Sequence, residues 1–289
     1  MADPKCYRLI AMPDPSRRRM LAIAFGPPTM AVACAGLARI REQADCVELR
    51  LDYFEEPFDL PVLLRERGDL SSVVTLRPPD QGGRSPLTAD ERFDVLLRAA
   101  QLGADYVDLE WDTVTPPRIA ALREAGARVI VSRHDFTGMP PDLADGWWSE
   151  LAELGGDVVK VVGTARDARD CVPVFRALEG ADRPTIAIAM GECGLASRVL
   201  ALRSEQCLLT YAALEAGGGT APGQITAGEM RSVYRVERLR PTTRVYALLG
   251  PHVEADRLTE YNAWFAEDGY DRVAVPFIAS EQAAAIVSA

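Results

Sequence analysis

Lysine is almost missing from this 289-residue chain, which has only Lys5 and Lys160 beside thirty arginines. Histidine is as scarce, with only His134 and His252. The formal net charge of −10 argues against nucleic acid or an anionic membrane as the main partner, because both are themselves negatively charged. With 48% hydrophobic and 26% charged residues, the composition is that of an ordinary soluble globular protein.

Long apolar runs are also missing. No segment approaches the roughly 20 apolar residues of a membrane span. The stretch after Arg17-Arg18-Arg19 imitates a signal peptide, but Gly26-Pro27-Pro28 breaks its apolar run too early for a secretion signal. We therefore predict neither a membrane span nor secretion.

The cysteines show no pattern of metal binding. They are scattered along the chain, without a Cys-x-x-Cys pair or nearby histidines, at Cys6, Cys34, Cys46, Cys171, Cys193 and Cys207. This spacing argues against a zinc site. Several of the cysteines lie in apolar runs, which favours reduced thiols in a cytoplasmic protein.

Short apolar or β-branched runs alternate with helical stretches, the pattern of a parallel sheet with crossover helices. Eight such runs are predicted strands: Met20–Phe25, Cys46–Tyr53, Ser72–Arg77, Tyr106–Trp111, Arg128–Arg133, Val158–Gly163, Thr185–Met190 and Leu208–Ala213. Predicted helices include Ala89–Leu102, Pro117–Ala125, Ala165–Leu178, Ala196–Arg203 and Thr226–Arg238. Eight strand–helix units predict an α/β fold, a (β/α)8 TIM barrel over residues 1–240.

The remaining residues, 241–289, predict a small βαβα segment. Its elements are a strand at Arg244–Leu249, a helix at Ala255–Asp268, a strand at Arg272–Ile278 and a last helix at Glu281–Ser288. A unit of this size buries little core by itself, so we expect it to dock on the barrel or on another subunit.

Lys160 lies in the strand-like run Asp157-Val158-Val159-Lys160-Val161-Val162, where a charge is out of place. An arginine there would always keep its proton, whereas a desolvated lysine can release a free amine that attacks a carbonyl. We therefore interpret Lys160 as a Schiff-base lysine. The alternative is a lysine that reaches out from a strand end or pairs with a buried acid.

Further polar residues lie where the carboxyl ends of barrel strands form the active-site mouth. His134 ends the strand before that of Lys160 and is a candidate general acid and base, although a lone histidine is often structural. Glu48, Arg50 and Asp52 alternate along the second strand, so we expect their side chains on one side.

Two more arginines and a glycine-rich loop are candidates for binding a carboxylate and hydroxyl groups. Arg77 ends the third strand, and Arg198 opens the helix after the seventh. Each could equally form a surface ion pair, but together they favour recognition of an anionic, hydroxylated ligand. The eighth strand leads into Gly217-Gly218-Gly219 and then Thr220 to Gln224, a loop that can wrap closely over a ligand.

These motifs, in this order, resemble the type I 3-dehydroquinate dehydratases. Glu48-Leu49-Arg50-Leu51-Asp52 is similar to the E-x-R-x-D strand of that family, and Ser132-Arg133-His134-Asp135-Phe136 to its catalytic histidine segment. Lys160 matches the imine-forming position, with Met190 ending the next strand. Thr220-Ala221-Pro222-Gly223-Gln224 is similar to the S-A-P-G-Q substrate loop.

The resemblance implies dehydration of 3-dehydroquinate to 3-dehydroshikimate in aromatic amino acid biosynthesis, with Lys160 forming the imine and His134 transferring protons. Substrate-binding roles would fall to Glu48, Arg50, Arg77, Arg198, Thr220 and Gln224. No metal or cofactor is implied, and we expect a homodimer. Thr220 departs from the usual serine but keeps its hydroxyl. Gln81 stands where some members have a glutamate near the histidine, a loss for which Asp108 could compensate.

The C-terminal segment resembles the start of a shikimate dehydrogenase substrate domain, on Val245 to Gly250, Tyr261 to Phe265 and Val273 to Phe277. The Ser-x-Ser motif, the catalytic lysine and a Gly-x-Gly-x-x-Gly loop are absent from the sequence, so we predict no dehydrogenase activity. Two alternatives to the dehydratase stay open. One is another imine-forming lyase or aldolase on the same barrel, and the other is a non-catalytic, partner-binding relative.

Overall fold

In the computed structural model of the protein, residues 19–221 and 223–279 are described. Eight parallel strands form one sheet: β1 Met20–Phe25, β2 Cys46–Arg50, β3 Ser71–Thr75, β4 Tyr106–Glu110, β5 Arg128–His134, β6 Val158–Thr164, β7 Thr185–Met190 and β8 Leu209–Ala212. Neighbours in sequence are neighbours in the sheet, and β1 also pairs with β8. A parallel bridge between Thr185 of β7 and Cys207, two residues before β8, links the two ends of the sheet. The sheet thus closes into the predicted barrel, which confirms the (β/α)8 fold.

Helices cover the outer face of the barrel, which buries the outward-facing side chains of the strands. They are α1 Met30–Ile40, α2 Leu60–Glu66, α3 Ala89–Gln101, α4 Pro116–Glu124, α5 Trp148–Glu153, α6 Cys171–Gly180, α7 Leu195–Leu200 and α8 Ala227–Ser232. Threonine caps begin α1, α3, α4 and α8, since each hydroxyl accepts a hydrogen bond from a backbone N–H in the first turn. The cap predicted at Thr226 is among them and forms a capping box with Glu229.

The barrel interior has two layers of side chains. Near the amino ends of the strands it is apolar, with Met20, Tyr106, Val158 and Leu209 in one buried cluster. Further along the same strands it becomes polar, and buried Glu48, Asp108, Lys160 and Arg77 replace the apolar side chains. This change along the strands places the polar chemistry at the carboxyl-end mouth, as in other barrels of this type.

Several sequence predictions about element ends were wrong. The second strand stops at Arg50, because Leu51–Tyr53 form a turn of 3-10 helix, and Asp52 in that turn folds back on Arg50 instead of continuing the alternation. The helix predicted over Thr226–Arg238 ends at Ser232, because Arg235 adopts a left-handed backbone with φ of 50° and a separate 3-10 turn follows at Val236–Arg238. The helix predicted over Ala165–Leu178 begins at Cys171, after a 3-10 turn at Ala168–Asp170, and the helix predicted to Arg203 ends at Leu200, where another 3-10 turn follows. Smaller differences of one or two residues occur elsewhere, as at β3, which ends at Thr75 before Arg77.

The C-terminal segment packs on the barrel. Its strands β9 Arg244–Gly250 and β10 Arg272–Ile278 are parallel neighbours, connected by the helix α9 Ala255–Glu267. Val273 and Val275 of β10 join the outer core of the barrel. The opposite face packs under α9, where the buried Asn262 side chain bonds the backbone of β10 at Ala274. The helix predicted at Glu281–Ser288 lies outside the described residues.

None of the helices within residues 19–221 and 223–279 combines the length and the apolar character needed to cross a bilayer. In those same residues, no group of three or more histidine, cysteine, aspartate or glutamate side chains is arranged to hold a metal ion. The apolar run Met20–Phe25 that imitated part of a signal peptide is the barrel strand β1.

Candidate active site

Lys160 projects from β6 into the barrel and is only 3% exposed. Its Nζ atom donates to Oδ2 of Asp108 at 2.9 Å, to Oε1 of Glu48 at 3.4 Å and to the hydroxyl of Tyr211 at 3.3 Å. The neighbouring Val159 and Val161 point the other way, into the outer core. Lys160 therefore faces the barrel interior in an ion pair with two carboxylates, the pairing with a buried acid that the alternative interpretation of this lysine included.

Asp108 is the centre of this polar layer. Its Oδ2 also meets Nη2 of Arg77 at 2.8 Å, and its Oδ1 accepts a hydrogen bond of 2.6 Å from the hydroxyl of Ser132. Burial opposes the negative charge, but Arg77 and Lys160 outweigh burial and hold the pKa of Asp108 well below its ordinary value. Asp108 is therefore ionised at neutral pH, as the partner of two cations.

Glu48 is the second carboxylate beside Lys160. Its Oε1 accepts a hydrogen bond of 2.6 Å from the hydroxyl of Thr75 on β3. Burial raises the pKa of Glu48, yet the positive charges of Lys160, Arg50 and Arg77 together more than compensate, so the net pKa shift is downward. Two ionised acids thus surround one ammonium group.

Arg77 lies deeper than the sequence suggested. Besides Asp108, it contacts Ser132 at 3.1 Å and Glu110 at 3.5 Å, and it is 3% exposed. The glycine loop that follows it fits closely, because a Cβ on Gly83 would lie 2.0 Å from the carbonyl oxygen of Arg77. The guanidinium group therefore supports the buried carboxylates while it lines the site.

His134 ends β5, and its ring stacks on Phe136 with a centroid distance of 5.8 Å. Among the described residues its buried Nδ1 atom has no hydrogen-bond partner. Burial first, and then the positive charges of Arg77 and Lys160, hold the pKa of His134 well below 6.5 despite the opposing effect of Asp108. His134 is therefore a neutral imidazole at neutral pH, the state that can accept a proton.

Asp108 compensates for the missing glutamate near His134 only through its negative charge, not through a hydrogen bond to the imidazole. The hydrogen bonds of its carboxylate go to Lys160 and Ser132, and its second ionic contact goes to Arg77. Gln81, which lines the same site as His134, likewise has a buried Oε1 atom without a hydrogen-bond partner among the described residues.

Two further arginines lie above this layer. Arg50 donates two hydrogen bonds to Asp52, of 2.9 and 2.7 Å, and this paired contact fixes the orientation of the guanidinium group. Arg198, on α7, is 1% exposed, and burial lowers its pKa to about 10. Burying a guanidinium group is costly, and an anionic ligand beside it reduces that cost.

The loop after β8 closes the mouth. Gly219 packs so closely on Gln224 that a Cβ on the glycine would lie 2.3 Å from the Oε1 atom of that side chain. Gly223 has a left-handed φ of 72° and lies against the backbone of Gly191, a combination that only glycine accommodates readily. The loop thereby brings Thr220 and Gln224 over the pocket.

One cavity, of about 70 Å³, is lined by all the site residues that the sequence predicted: Lys160, His134, Glu48, Arg50, Arg77, Arg198, Thr220 and Gln224. Tyr211 and Phe136 line the cavity too, but the sequence did not predict either as a site residue. Nothing in the sequence shows which way a tyrosine within an apolar strand faces. A larger cavity of about 910 Å³ lies at the amino ends of the strands, beside Met20, Tyr106 and Leu208. Barrel chemistry resides at the carboxyl ends, where the charged side chains converge, so the smaller cavity is the candidate site.

Comparison with known proteins identifies the family. The family model described as type I 3-dehydroquinase matches residues 22–241, the whole of the barrel described above. The chain belongs to the type I 3-dehydroquinase family. This membership confirms the resemblance seen in the sequence motifs.

Two relatives of this dehydroquinase-family chain show how far the similarity extends. A 3-dehydroquinate dehydratase of Desulfotalea psychrophila is 35% identical over 224 residues, which are 75% of this chain and 97% of the relative. A bifunctional 3-dehydroquinate dehydratase/shikimate dehydrogenase of Arabidopsis thaliana is also 35% identical, over 73% of this chain but only 36% of its own length. The chain thus spans about a third of the bifunctional relative.

Solved structures agree on the fold. The 3-dehydroquinate dehydratase of Geobacillus kaustophilus has a TM-score of 0.64 at 24% identity and covers 74% of this chain and 88% of its own. The dehydroquinate dehydratase and shikimate dehydrogenase structure from S. pombe, with a TM-score of 0.62 at 24% identity, covers 91% of this chain and 53% of its own. The broader coverage in the second case extends the fold similarity beyond the barrel.

Proposed function

We propose that this protein is a 3-dehydroquinate dehydratase, a hydro-lyase that eliminates water from 3-dehydroquinate to give 3-dehydroshikimate through an imine on Lys160. The observation that carries the proposal is the buried Lys160 amine at the base of a cavity lined by His134 and Arg198. Membership of the type I 3-dehydroquinase family supports it.

The first step joins Lys160 to the ring ketone. Nζ gives up protons, attacks the carbonyl carbon, and the carbonyl oxygen leaves as water. Glu48 and Asp108 hold the ammonium group before the reaction and stabilise the positive charge of the iminium afterwards, because both carboxylates are ionised. The iminium makes the adjacent C–H acidic, since it accepts the electron pair that this bond releases.

The second step removes water from the ring. Neutral His134 takes the proton from the acidic carbon, and the electron pair forms an enamine with the imine nitrogen. The enamine then expels the neighbouring hydroxyl group, which leaves as water with the proton that His134 returns. The lowered pKa of His134 suits this role, because the imidazole stays deprotonated at neutral pH yet can carry a proton briefly.

The remaining residues hold the substrate. Arg198 and Gln224 bind its carboxylate, since a buried guanidinium and an amide beside it form a site for a planar anion. Arg50, fixed by Asp52, and Glu48 position ring hydroxyls, and Thr220 closes over them from the loop. Arg77 contributes mainly through Asp108, which it holds in place beside Lys160.

The reaction consists of proton transfers and imine chemistry, so it requires neither a metal nor an organic cofactor. We place it in cytoplasmic aromatic amino acid biosynthesis. The barrel of residues 1–240 performs it alone. Residues 241–289 form a partial shikimate-dehydrogenase-like segment without dehydrogenase activity.

Borohydride trapping tests this proposal. The protein is incubated with 3-dehydroquinate, reduced, and digested, while absorbance of the conjugated product is followed in parallel. We expect product and a reduced adduct on the Lys160 peptide. Lys160→Arg should abolish both, whereas Lys5→Arg, the matched change at the other lysine, should leave both intact. Absence of adduct and product in the unaltered protein would refute the proposal, and adducts with other keto acids would then favour the alternative lyase or aldolase.

A further inference from the structure

Tyr211 occupies a position on β8 that faces the barrel interior. The residue is 4% exposed and belongs to the same interior cluster as Ala22, its register partner on β1. Ala22 and Ala24 of β1 belong to that same cluster. The ring therefore crosses the apolar layer and delivers its hydroxyl group into the polar layer above.

The hydroxyl of Tyr211 is the one neutral group among the three partners that the described structure gives to Nζ of Lys160. It lies 3.3 Å from Nζ, while the other two partners are the carboxylates of Glu48 and Asp108. An ionised carboxylate can only accept hydrogen bonds, but a tyrosine hydroxyl accepts and donates at the same time. Tyr211 alone of the three can pass a proton onward to an oxygen atom without first being protonated.

The surroundings keep that proton on the hydroxyl. Burial first, then the negative charges of Glu48 and Asp108, and also a hydrogen bond to Glu48, raise the pKa of Tyr211 well above its ordinary value. Conversely, the same two carboxylates are held ionised, so they have no proton to donate at neutral pH.

We propose that the hydroxyl of Tyr211 relays protons from Nζ of Lys160 to the carbonyl oxygen of the substrate as the imine forms, and in reverse as the imine hydrolyses. This role rests on the proposed function. Tyr211 would be a catalytic residue of the imine steps, whereas the proton of the ring carbon goes to His134.

Imine formation moves two protons from nitrogen to oxygen, and Tyr211 offers a route for them. The ammonium of Lys160 carries three protons, and the iminium nitrogen carries one. The other two must reach the carbonyl oxygen, which breaks its bond to carbon and departs as water while the carbon–nitrogen bond forms. No proton is gained or lost overall. In the addition intermediate, that oxygen is bonded to the carbon attached to Nζ, so a hydroxyl in contact with Nζ is within reach of it.

The variant Tyr211→Phe removes the hydroxyl and keeps the ring. Tyr106→Phe is the matched control, because Tyr106 is a buried tyrosine of the same interior cluster that does not contact Lys160 among the described hydrogen bonds. The rate of imine formation is measured by rapid mixing with 3-dehydroquinate and borohydride quenching. Exchange of the ketone oxygen with heavy-oxygen water is measured in parallel, because it requires imine formation and hydrolysis but not dehydration.

We expect Tyr211→Phe to slow both adduct formation and oxygen exchange by about 10²-fold, the lower range of general acid–base effects, with little change in KM. Tyr106→Phe should leave both rates unchanged. Adduct formation and exchange by Tyr211→Phe at the rate of the unaltered protein would overturn the relay while leaving the dehydratase intact. Equal slowing in both variants would show a packing effect and also overturn it. Failure of the dehydratase itself is separate, since the unaltered protein would then form neither adduct nor product.

Discussion

Nζ of Lys160 and Oδ2 of Asp108 lie 2.9 Å apart in the barrel interior, at side-chain exposures of 4% and 0%. The ion pair holds the side chain of Lys160 in a fixed place. Two ionised groups in such a setting are expensive to bury, and they depend on each other. The stability of this barrel is therefore linked directly to its chemistry.

Replacement of Asp108 by asparagine should destabilise the fold strongly. The variant leaves Lys160 and Arg77 without their shared anion, and breaking a buried ion pair from one side costs about 3–5 kcal/mol. Asp182→Asn, at the exposed pair with Arg183, should cost at most ~1 kcal/mol. Urea unfolding of both variants measures the difference, and equal losses would contradict the linkage.

The acidic limb of the pH–rate profile should lie below the ordinary histidine pKa of 6.5, because the pKa of His134 is lowered and the base stays neutral as the pH falls. Gln81→Glu adds a carboxylate to the same cavity, stabilises the imidazolium and should move this limb to higher pH. Gln206→Glu, which lines the cavity at the amino ends of the strands, is the control and should not move it. A limb of kcat/KM unmoved by Gln81→Glu would argue against a close approach of Gln81 to His134.

Arg198→Gln should weaken substrate binding. A hydrogen bond to a charged group contributes about 1.5–3 kcal/mol, so the loss of the guanidinium should raise KM by ~10- to 100-fold. Arg176→Gln, on the exposed side of α6, should have no effect. Steady-state kinetics with 3-dehydroquinate measures this change. An unchanged KM would show that Arg198 does not bind the substrate carboxylate.

Gly83→Ala should lower stability and activity together. The added methyl group would meet the carbonyl of Arg77 at 2.0 Å, so the loop must move, at a cost of about 1–3 kcal/mol. Gly180→Ala, at the end of α6, meets nothing within 4 Å and serves as the control. Thermal unfolding and initial rates are measured for both variants. Unchanged stability and activity of Gly83→Ala would show that the loop adapts to the added methyl group.

Much of this architecture could be predicted from the sequence, because strand periodicity and helix caps are local. Each of the eight predicted barrel strands overlaps an observed one, and β7 at Thr185–Met190 matches without a shift. The residues carrying chemistry were also recognisable, since Lys160 and His134 are rare in this chain and each ends or interrupts a strand.

The contacts between strands could not be predicted. Tyr211 and Lys160 are 51 residues apart, and only closure of the barrel brings the hydroxyl to the amine. The depth of Arg77 was missed for the same reason, since Asp108 and Ser132 come from two other strands. The fold-back of Asp52 was missed because a turn of 3-10 helix continues the strand without any glycine or proline to mark it.

A layer of apolar side chains beneath Lys160 closes the barrel interior at the amino ends of the strands. In the interior that residues 19–221 and 223–279 form, the amine lies just above Tyr106, Val158 and Leu209. In the proposed reaction, substrate and the water that hydrolyses the imine would then enter through the mouth beside Thr220 and Gln224, and product would leave by the same route. Substrate entry and product release in that reaction would therefore share one passage, so a side chain that narrows it would slow both steps.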